Sequence, residues 1–334
     1  MKSIILAVIA IASLQILACS DPAPYAVDTI PAGHLSVPFT PRVCTEAINN
    51  DNPYEFVGIY HNYGLQYFAA YCEMNGWPTT EASWKQLAVE LTREFVPEVL
   101  VIVEEDGDTI GVELLHPTVD SSIAFYNTYF FIPPGDSIWT NFTTLPIEVQ
   151  DYLISLYDIF SDTTCTDVFE EIRQLETNLI QNGDSSFAQT RAVLLCTSAI
   201  ARHSYAYQLD TLGRPYWPSE THPDGSKIYL TRGADPGKTT KQDKKNLASD
   251  VVTSDAAGAA AGAVAGGISG AAAGLLAGAA TGGVGLPLVA GGFISGALKG
   301  GLEVGAATSI LDLFQGGAMG RQIKKTFKEE KKKK

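Results

Sequence analysis

The sequence predicts a mainly α-helical body with a small β-hairpin component, an α+β arrangement, followed by a Gly/Ala-rich helical hairpin. Apolar residues recur at three- and four-residue steps through much of 52–207, two β-prone runs flank an Asp-Gly turn, and 256–298 contains no charged residue. The predicted division is a signal peptide (1–18), a lipidated tether (19–43), an acidic body (44–232), a polar linker (233–255), a glycine-zipper hairpin (256–314) and a basic tail (315–334).

The N-terminus has the pattern of an export signal. Lys2 precedes an apolar stretch from Ile4 to Ala18, which is too short to span a bilayer stably. The end of this stretch, Ile16-Leu17-Ala18-Cys19, resembles the lipobox of bacterial lipoproteins, which implies lipidation of Cys19 and cleavage before it. By the same resemblance, an Asp at 21 and not at 20 favours the outer over the inner membrane of the cell envelope. The alternative is an ordinary cleaved signal with an incidental cysteine.

The tether and the charge distribution limit the classes of partner that this protein can bind. Five prolines within 20–43 favour an extended spacer between lipid and body. Residues 1–226 carry 8 basic and 29 acidic side chains, so a nucleic acid would be repelled. The last fourteen residues carry eight basic and two acidic side chains, which favours either contact with anionic lipid head groups or a solvated, disordered end.

Four further cysteines, Cys44, Cys72, Cys165 and Cys196, follow the lipidation candidate. An even number in an oxidising compartment permits two disulfides with three connectivities, and the spacing fits no zinc site. Cys196 lies in an apolar helical run, so a buried free thiol is an equal alternative.

The first half of the body is predicted to contain two helices and a β-hairpin. Pro53 after Asn52 suits a helix start with Asn52 as its cap, and apolar side chains then recur at helical spacing to Tyr71. Within it His61 and Asn62 are interpreted as a packing pair and not as a site. A second helix is predicted over 80–95 and a β-hairpin over 99–115, whose acidic turn lacks the calcium-binding EF-hand spacing.

The second half of the body predicts helices over 151–160, 166–181 and 187–207, with a short hairpin near 223–231. Arg202-His203-Ser204-Tyr205 places a histidine next to a serine, but adjacent helix positions point about 100° apart. The sequence therefore predicts no catalytic site there.

Two stretches of the body carry a resemblance. Asn52-Pro53-Tyr54-Glu55-Phe56-Val57-Gly58 and Ser198-Ala199-Ile200-Ala201-Arg202-His203-Ser204-Tyr205 look like segments of uncharacterised lipoproteins of Bacteroidetes-type bacteria. Glu55 stands where the resemblance leads us to expect Asp, and Gln208 where it leads us to expect Trp. The resemblance implies a provenance and no mechanism.

The glycine-zipper segment has a strict register. Glycines at four-residue steps form one stripe on a helix, which lets a second helix backbone approach closely. The two arms carry Gly258, Gly262, Gly266, Gly270, Gly274, Gly278 and Gly282, and then Gly292, Gly296 and Gly300. Only eleven residues of 256–298 are Val, Ile, Leu or Phe, which is a weak hydrophobicity for membrane spans. Such a segment could pass through export and insert later, so a two-helix hairpin in lipid is favoured, and a water-exposed or partner-bound helical hairpin is the alternative.

Lipobox and zipper together resemble the glycine-zipper lipoproteins of bacterial envelopes. The leading hypothesis is a non-enzymatic envelope lipoprotein, without cofactor or metal, whose hairpin inserts into membrane or forms homo-oligomers. One alternative is a bacteriocin-like, membrane-active antagonist at the cell surface. Another is an extracytoplasmic binding module, suggested by the four tryptophans.

Overall fold

A computed structural model describes residues 42–78, parts of 83–95, 145–182 except 163, 187–211, 241–280, 285–314 and 318–332. Of the described residues, 86% are helical and none is in a strand. The α+β prediction is therefore wrong for this part of the chain, which is all-α. The predicted hairpins at 99–115 and 223–231, the signal peptide, Cys19 and the tether up to residue 41 lie outside the described residues.

Seven α-helices follow a single 3-10 turn at Thr45–Ala47 in the described ranges. They are α1 (Glu55–Asn75), α2 (Ile147–Ser161), α3 (Val168–Gln181), α4 (Ala188–Thr211), α5 (Lys241–Ala280), α6 (Gly285–Phe314) and α7 (Ala318–Lys331). Residues described between 83 and 95 are also helical, as predicted for 80–95.

The helices predicted within 145–210 are confirmed as α2, α3 and α4, and two helix starts differ from prediction. Helix α3 begins after Asp167, whose carboxylate accepts a hydrogen bond from the Glu170 amide, so Asp167 and not Thr166 is the cap. Helix α1 begins at Glu55 and not at Pro53. Asn52 forms a turn before it, in which its side-chain oxygen accepts from the Tyr54 amide.

Helices α5 and α6 form an antiparallel pair held by the glycine stripe. A Cβ added to Gly262 would lie 2.1 Å from the carbonyl oxygen of Gly300, and one added to Gly266 would lie 2.1 Å from that of Gly296. Both distances are far below van der Waals contact, so any side chain at these positions would force the two backbones apart. The glycine register thus serves packing of one arm against the other within a single chain.

The two helices do not form a separate unit from the body. Besides its contact with α6, helix α5 packs chiefly on α4, and α6 packs on α1 and α4. On α6, Gly301 faces the thiol of Cys196, while Gly305 faces Ile200 and Ala259. The predicted boundary between linker and hairpin, at residue 255, falls inside the continuous helix α5. We call Asn246–Gly266 and Gly296–Phe314 the hairpin base.

One stretch among the described residues, Asn246–Ile268, is long and apolar enough to cross a membrane, with a mean hydropathy of 1.3. However, 83% of its most apolar window is buried inside the protein, as it would be in a core helix. The side chain of Ile268, at the end of this stretch, is 63% exposed. Most of this stretch therefore contacts protein.

The basic tail contains a docked helix where a disordered end was one expectation. Ile323 and Phe327 of α7 are buried, and the Phe327 ring packs edge-on against Tyr157 of α2 at 5.6 Å. The Lys324 Nζ atom lies 2.7 Å from Asp250 Oδ1, and Gly320 lies directly against the backbone of Asp250. Helix α7 thus fixes the start of α5 to α2.

Candidate functional site

The most unusual feature of the core is a set of buried charged residues between α1, α3 and α4, which we call the ionic cluster: Glu55, Glu176, Arg202 and His203. The Arg202 guanidinium donates two hydrogen bonds to the Glu55 carboxylate, at 3.2 and 2.6 Å, and a third to Glu176 at 3.0 Å. His203 Nε2 lies 2.6 Å from Glu55 Oε1. A charge this deep persists only when such partners replace its hydration.

Polar side chains supply the remaining hydrogen bonds to the Glu176 carboxylate. Asn49 donates to its carboxylate at 2.5 Å, and Asn52 and Ser198 each donate at 2.8 Å. Asn52 therefore acts as a bridge between the turn before α1 and helix α3, and not as the helix cap that the sequence predicts. With these donors the cluster joins three helices and the preceding turn through one buried network.

A second group of polar contacts, which we call the polar seam, joins the body to the hairpin base. His61 Nε2 lies 3.1 Å from the Ser309 hydroxyl of α6, and its Nδ1 lies 3.3 Å from Asn62 Oδ1. Asn62 donates to the carbonyl of His203 at 2.8 Å, which connects the seam to the ionic cluster. His61 and Asn62 are thus an internal packing pair, as the sequence suggests.

Two aspartates of the hairpin base extend the seam. Asp255 of α5 accepts a hydrogen bond from Ser204 of α4, and both residues are completely buried. Asp312 of α6 accepts from Ser254 of α5 at 2.7 Å and from the Gly320 amide of α7 at 3.0 Å. Every charged residue that flanks the charge-free run near the base is likewise buried: Asp250, Asp255, Lys299, Glu303 and Asp312.

The environment shifts the ionisation of these groups in opposite directions. Burial would raise the pKa of Glu55, but the hydrogen bond from His203 and the charge of Arg202 lower it below its usual value. Burial lowers the pKa of His203, against the pull of Glu55. Burial also lowers the pKa of His61, to about 4, and raises that of Asp255 well above its usual range. At neutral pH His61 is consequently neutral, and the Glu55 and Arg202 pair is ionised.

The cluster does not have the geometry of a nucleophilic site. The hydroxyl of Ser204 is directed to Asp255, while the imidazole of His203 is directed to Glu55, so the two neighbours do not form a nucleophile–base pair. All four residues are completely or almost completely buried, and none lines the cavity beside Gly64 or the groove beside Trp77. Those residues also contain no group of three His, Cys, Asp or Glu side chains placed to hold a metal. The arrangement suits fixing helices in register.

The other predicted site residues are the zipper glycines and the four cysteines of the body. Gly258, Gly262, Gly266, Gly296 and Gly300 lie at the contact of α5 with α6, whereas the surroundings of Gly270, Gly274, Gly278, Gly282 and Gly292 lie outside the described residues. No disulfide joins Cys44, Cys72, Cys165 and Cys196 to one another in the structure. Burial raises the pKa of both Cys72 and Cys196 to about 12, so these two thiols are poor nucleophiles.

Sequence reasoning missed the roles of Glu55, Glu176 and Asp255. The signal available was the pair of stretches that carried a resemblance, because Glu55 and the pair Arg202-His203 lie within them and meet in the structure. Nothing local marks Glu176, which occupies an ordinary amphipathic helix, or Asp255, which borders the charge-free run.

No known protein family, curated protein or solved structure matches this chain.

Proposed function

We propose that this protein is a non-enzymatic lipoprotein of the bacterial cell envelope, anchored by a lipid on Cys19, that holds the end of its helical hairpin in a membrane. The observation that carries the proposal is the division of the hairpin. Its base is embedded in the body with all of its charged residues buried, whereas the part beyond Gly266 and Gly296 contains no charge. We call this part, residues 267–295, the distal segment.

Several properties of the distal segment support a membrane partner. Its arms are helical, at 267–280 and 285–295, so their backbone hydrogen bonds are satisfied internally, as hydrocarbon requires. Pro287 falls in the first turn of α6, where its missing N–H leaves no bond unmade. Nine residues are Val, Ile, Leu or Phe, and burying a large apolar side chain contributes about 1.5–3 kcal/mol.

The lipid on Cys19 and the hairpin are two anchors of different kinds, and a single washing experiment separates them. The Cys19→Ala protein is exported behind the cleavable signal of a soluble periplasmic protein in place of residues 1–18, so that no apolar signal stays attached. It is expected to remain in the membrane pellet after alkaline washing because the distal segment still holds it. Adding Leu276→Asp to this variant places a carboxylate in the distal segment, which costs about 3 kcal/mol in hydrocarbon. This cost lowers the membrane partition constant by about a hundredfold, so a larger fraction of the protein should be washed off.

Met74→Asp is the matched control, because Met74 is 62% exposed on the body and gains the same charge without entering a membrane. This control is expected to stay in the pellet. Release of the Cys19→Ala protein itself would show that lipid is the only anchor and would overturn the proposal for the hairpin. Both aspartate variants should unfold at the temperature of their parent.

A further inference from the structure

We propose that the distal segment enters only one leaflet of a bilayer, so that the body lies at the surface of that leaflet and the chain does not cross the membrane. This inference rests on the proposed function, and it names the partner of the distal segment as the hydrocarbon of a single phospholipid leaflet. It follows from the length of the two arms and from what lies immediately below them.

Arm length sets the first limit. At 1.5 Å per residue, residues 267–280 of α5 are about 21 Å long and residues 285–295 of α6 are about 17 Å long. The hydrocarbon core of a bilayer is about 30 Å thick, so one leaflet contributes about 15 Å. Both arms therefore cross one leaflet and part of its interface, and neither reaches the opposite head groups.

The hairpin base sets the second limit. Lys299 follows the Gly296 contact by less than one helical turn and is 1% exposed within the protein. Deeper insertion would draw Lys299, and then Glu303 one turn further, into hydrocarbon, where a charged side chain is costly. It would also separate Ser309 from His61 and Asp255 from Ser204. The polar seam thus limits how deeply the hairpin can insert into the bilayer.

The position of the body relative to the membrane follows from these limits. Val264 and Ala265 are partly buried, and Ile268, one turn later, is mostly exposed. The surface of the membrane is therefore placed near Ile268 on α5. Helix α7, which contacts Asp250, lies about 24 Å further from the membrane along α5, measured from Gly266.

The test measures depth with a fluorescent label on the full mature chain, residues 19–334, carrying Cys19→Ala. Cys44 and Cys165 are replaced by serine, since the two other thiols are buried. Single labelling sites are introduced as Thr281→Cys between the two arms, Ile268→Cys at the inferred membrane surface, and Gln181→Cys on the exposed end of α3. Phosphatidylcholine vesicles are used with iodide outside, iodide inside, or brominated lipids of known depth.

We expect the label at 281 to be quenched by bromine near the bilayer centre and by iodide on neither side. The label at 268 should be quenched by bromine near the head groups, and the label at 181 by external iodide only. Quenching of the 281 label by internal iodide would show a spanning hairpin and overturn the single-leaflet inference. Quenching by external iodide in the bound protein would overturn it too, because another surface would then be responsible for binding.

A protein that does not bind vesicles at all would instead contradict the proposed function. In that case disulfide cross-linking through the unlabelled Thr281→Cys thiol would identify a second copy of the chain as the occupant of the distal segment. A bound protein whose 281 label is reached by internal iodide therefore refutes the depth alone. Absence of binding, or a 281 label reached by external iodide, refutes insertion of the distal segment itself.

Discussion

At the scale of single residues, the core is organised by paired charges and not by apolar packing alone. Arg202 is among the largest completely buried side chains in the described ranges, and its partners Glu55 and Glu176 come from two other helices. A buried ion pair of this kind adds little net stability, but removing one partner strands the others without hydration. Any arrangement in which α1, α3 and α4 are out of register would therefore leave a buried charge without its partner.

The Arg202→Met variant is expected to lower the free energy of unfolding by about 3–5 kcal/mol, because Glu55 and Glu176 would keep their charges without a cation. Urea unfolding followed by circular dichroism measures the loss. Arg173→Met is the control, since Arg173 is partly exposed, pairs with the exposed Glu170 and donates to the Glu46 carbonyl. Losing these contacts should cost only about 1–2 kcal/mol. Equal losses in the two variants would contradict the role assigned to the cluster.

His61 makes the stability of the protein depend on pH. Its pKa falls from 6.5 to about 4 on folding, chiefly through burial, so the unfolded chain binds more protons than the folded one between these values. Stability is therefore lost as pH falls from 6.5 to 4, by about 3 kcal/mol for this residue. Burial also lowers the pKa of His203 and raises that of Asp255, so the contribution of His61 is isolated by comparison with a variant.

His61→Gln keeps a polar side chain next to Ser309 and removes the titrating ring. Urea unfolding at several pH values between 4 and 7 measures how the free energy of unfolding changes with pH. This change is expected to be smaller in the variant than in the parent, by the contribution of His61. Parallel curves for the two proteins would mean that His61 keeps its ordinary pKa in the fold.

At the scale of elements, glycine has opposite effects at different positions of the same fold. On α5 and α6 the absence of a side chain is what allows backbone contact, and the close approach compensates for the poor helix propensity of glycine. On α1, Gly64 has space around it, because an added Cβ would lie 3.4 Å from Phe95 and 3.9 Å from Ala306. Only the first kind of glycine is required by packing.

The same substitution is therefore expected to change stability in opposite directions at the two sites. Gly262→Ala should destabilise the protein by about 1–3 kcal/mol, because its Cβ meets the Gly300 carbonyl and the Val304 side chain. Gly64→Ala should leave stability unchanged or raise it by up to about 1 kcal/mol through helix propensity. Thermal unfolding of both variants measures this, and a loss at Gly64 as large as at Gly262 would refute the distinction.

At the scale of the whole molecule, charge and apolar surface are segregated along the hairpin. The cations of α7 contact the body at the base, where Lys324 pairs with Asp250 and Lys331 with Asp158. The distal segment lies at the opposite end of α5 and α6 from these contacts and has no charge. An anionic membrane surface at the distal end would thus be far from the basic helix, which argues against the lipid contact considered for the tail.

Membrane binding of the Cys19→Ala protein should therefore be apolar and insensitive to salt. Raising the salt concentration from about 0.1 M to about 1 M shortens the screening length from about 10 Å to about 3 Å, yet the bound fraction should not fall. Flotation with phosphatidylcholine vesicles measures it. The double variant Lys325→Glu, Lys328→Glu, which alters two exposed cations of α7, should bind equally well. Release by salt would assign binding to the tail instead.

The sequence by itself determined the helices and the close packing of the zipper. The apolar spacing that predicts α2, α3 and α4 and the four-residue glycine step are local patterns, and the confirmed end of α3 at Gln181 shows how well such patterns place an element. The β-hairpins that turned the prediction to α+β were read from short runs that lie outside the described residues, and every described element is helical.

Only the tertiary structure decided where the charges and the hairpin lie. Arg202 and Glu55 are 147 positions apart, and Asp255 meets Ser204 across 51, so no local pattern could pair them. The charge-free run likewise looked like one membrane element, because hydropathy does not distinguish lipid from protein as its surroundings. Burial against α1 and α4 shows that the base of this run contacts protein, since the polar seam needs partners that only the folded body supplies.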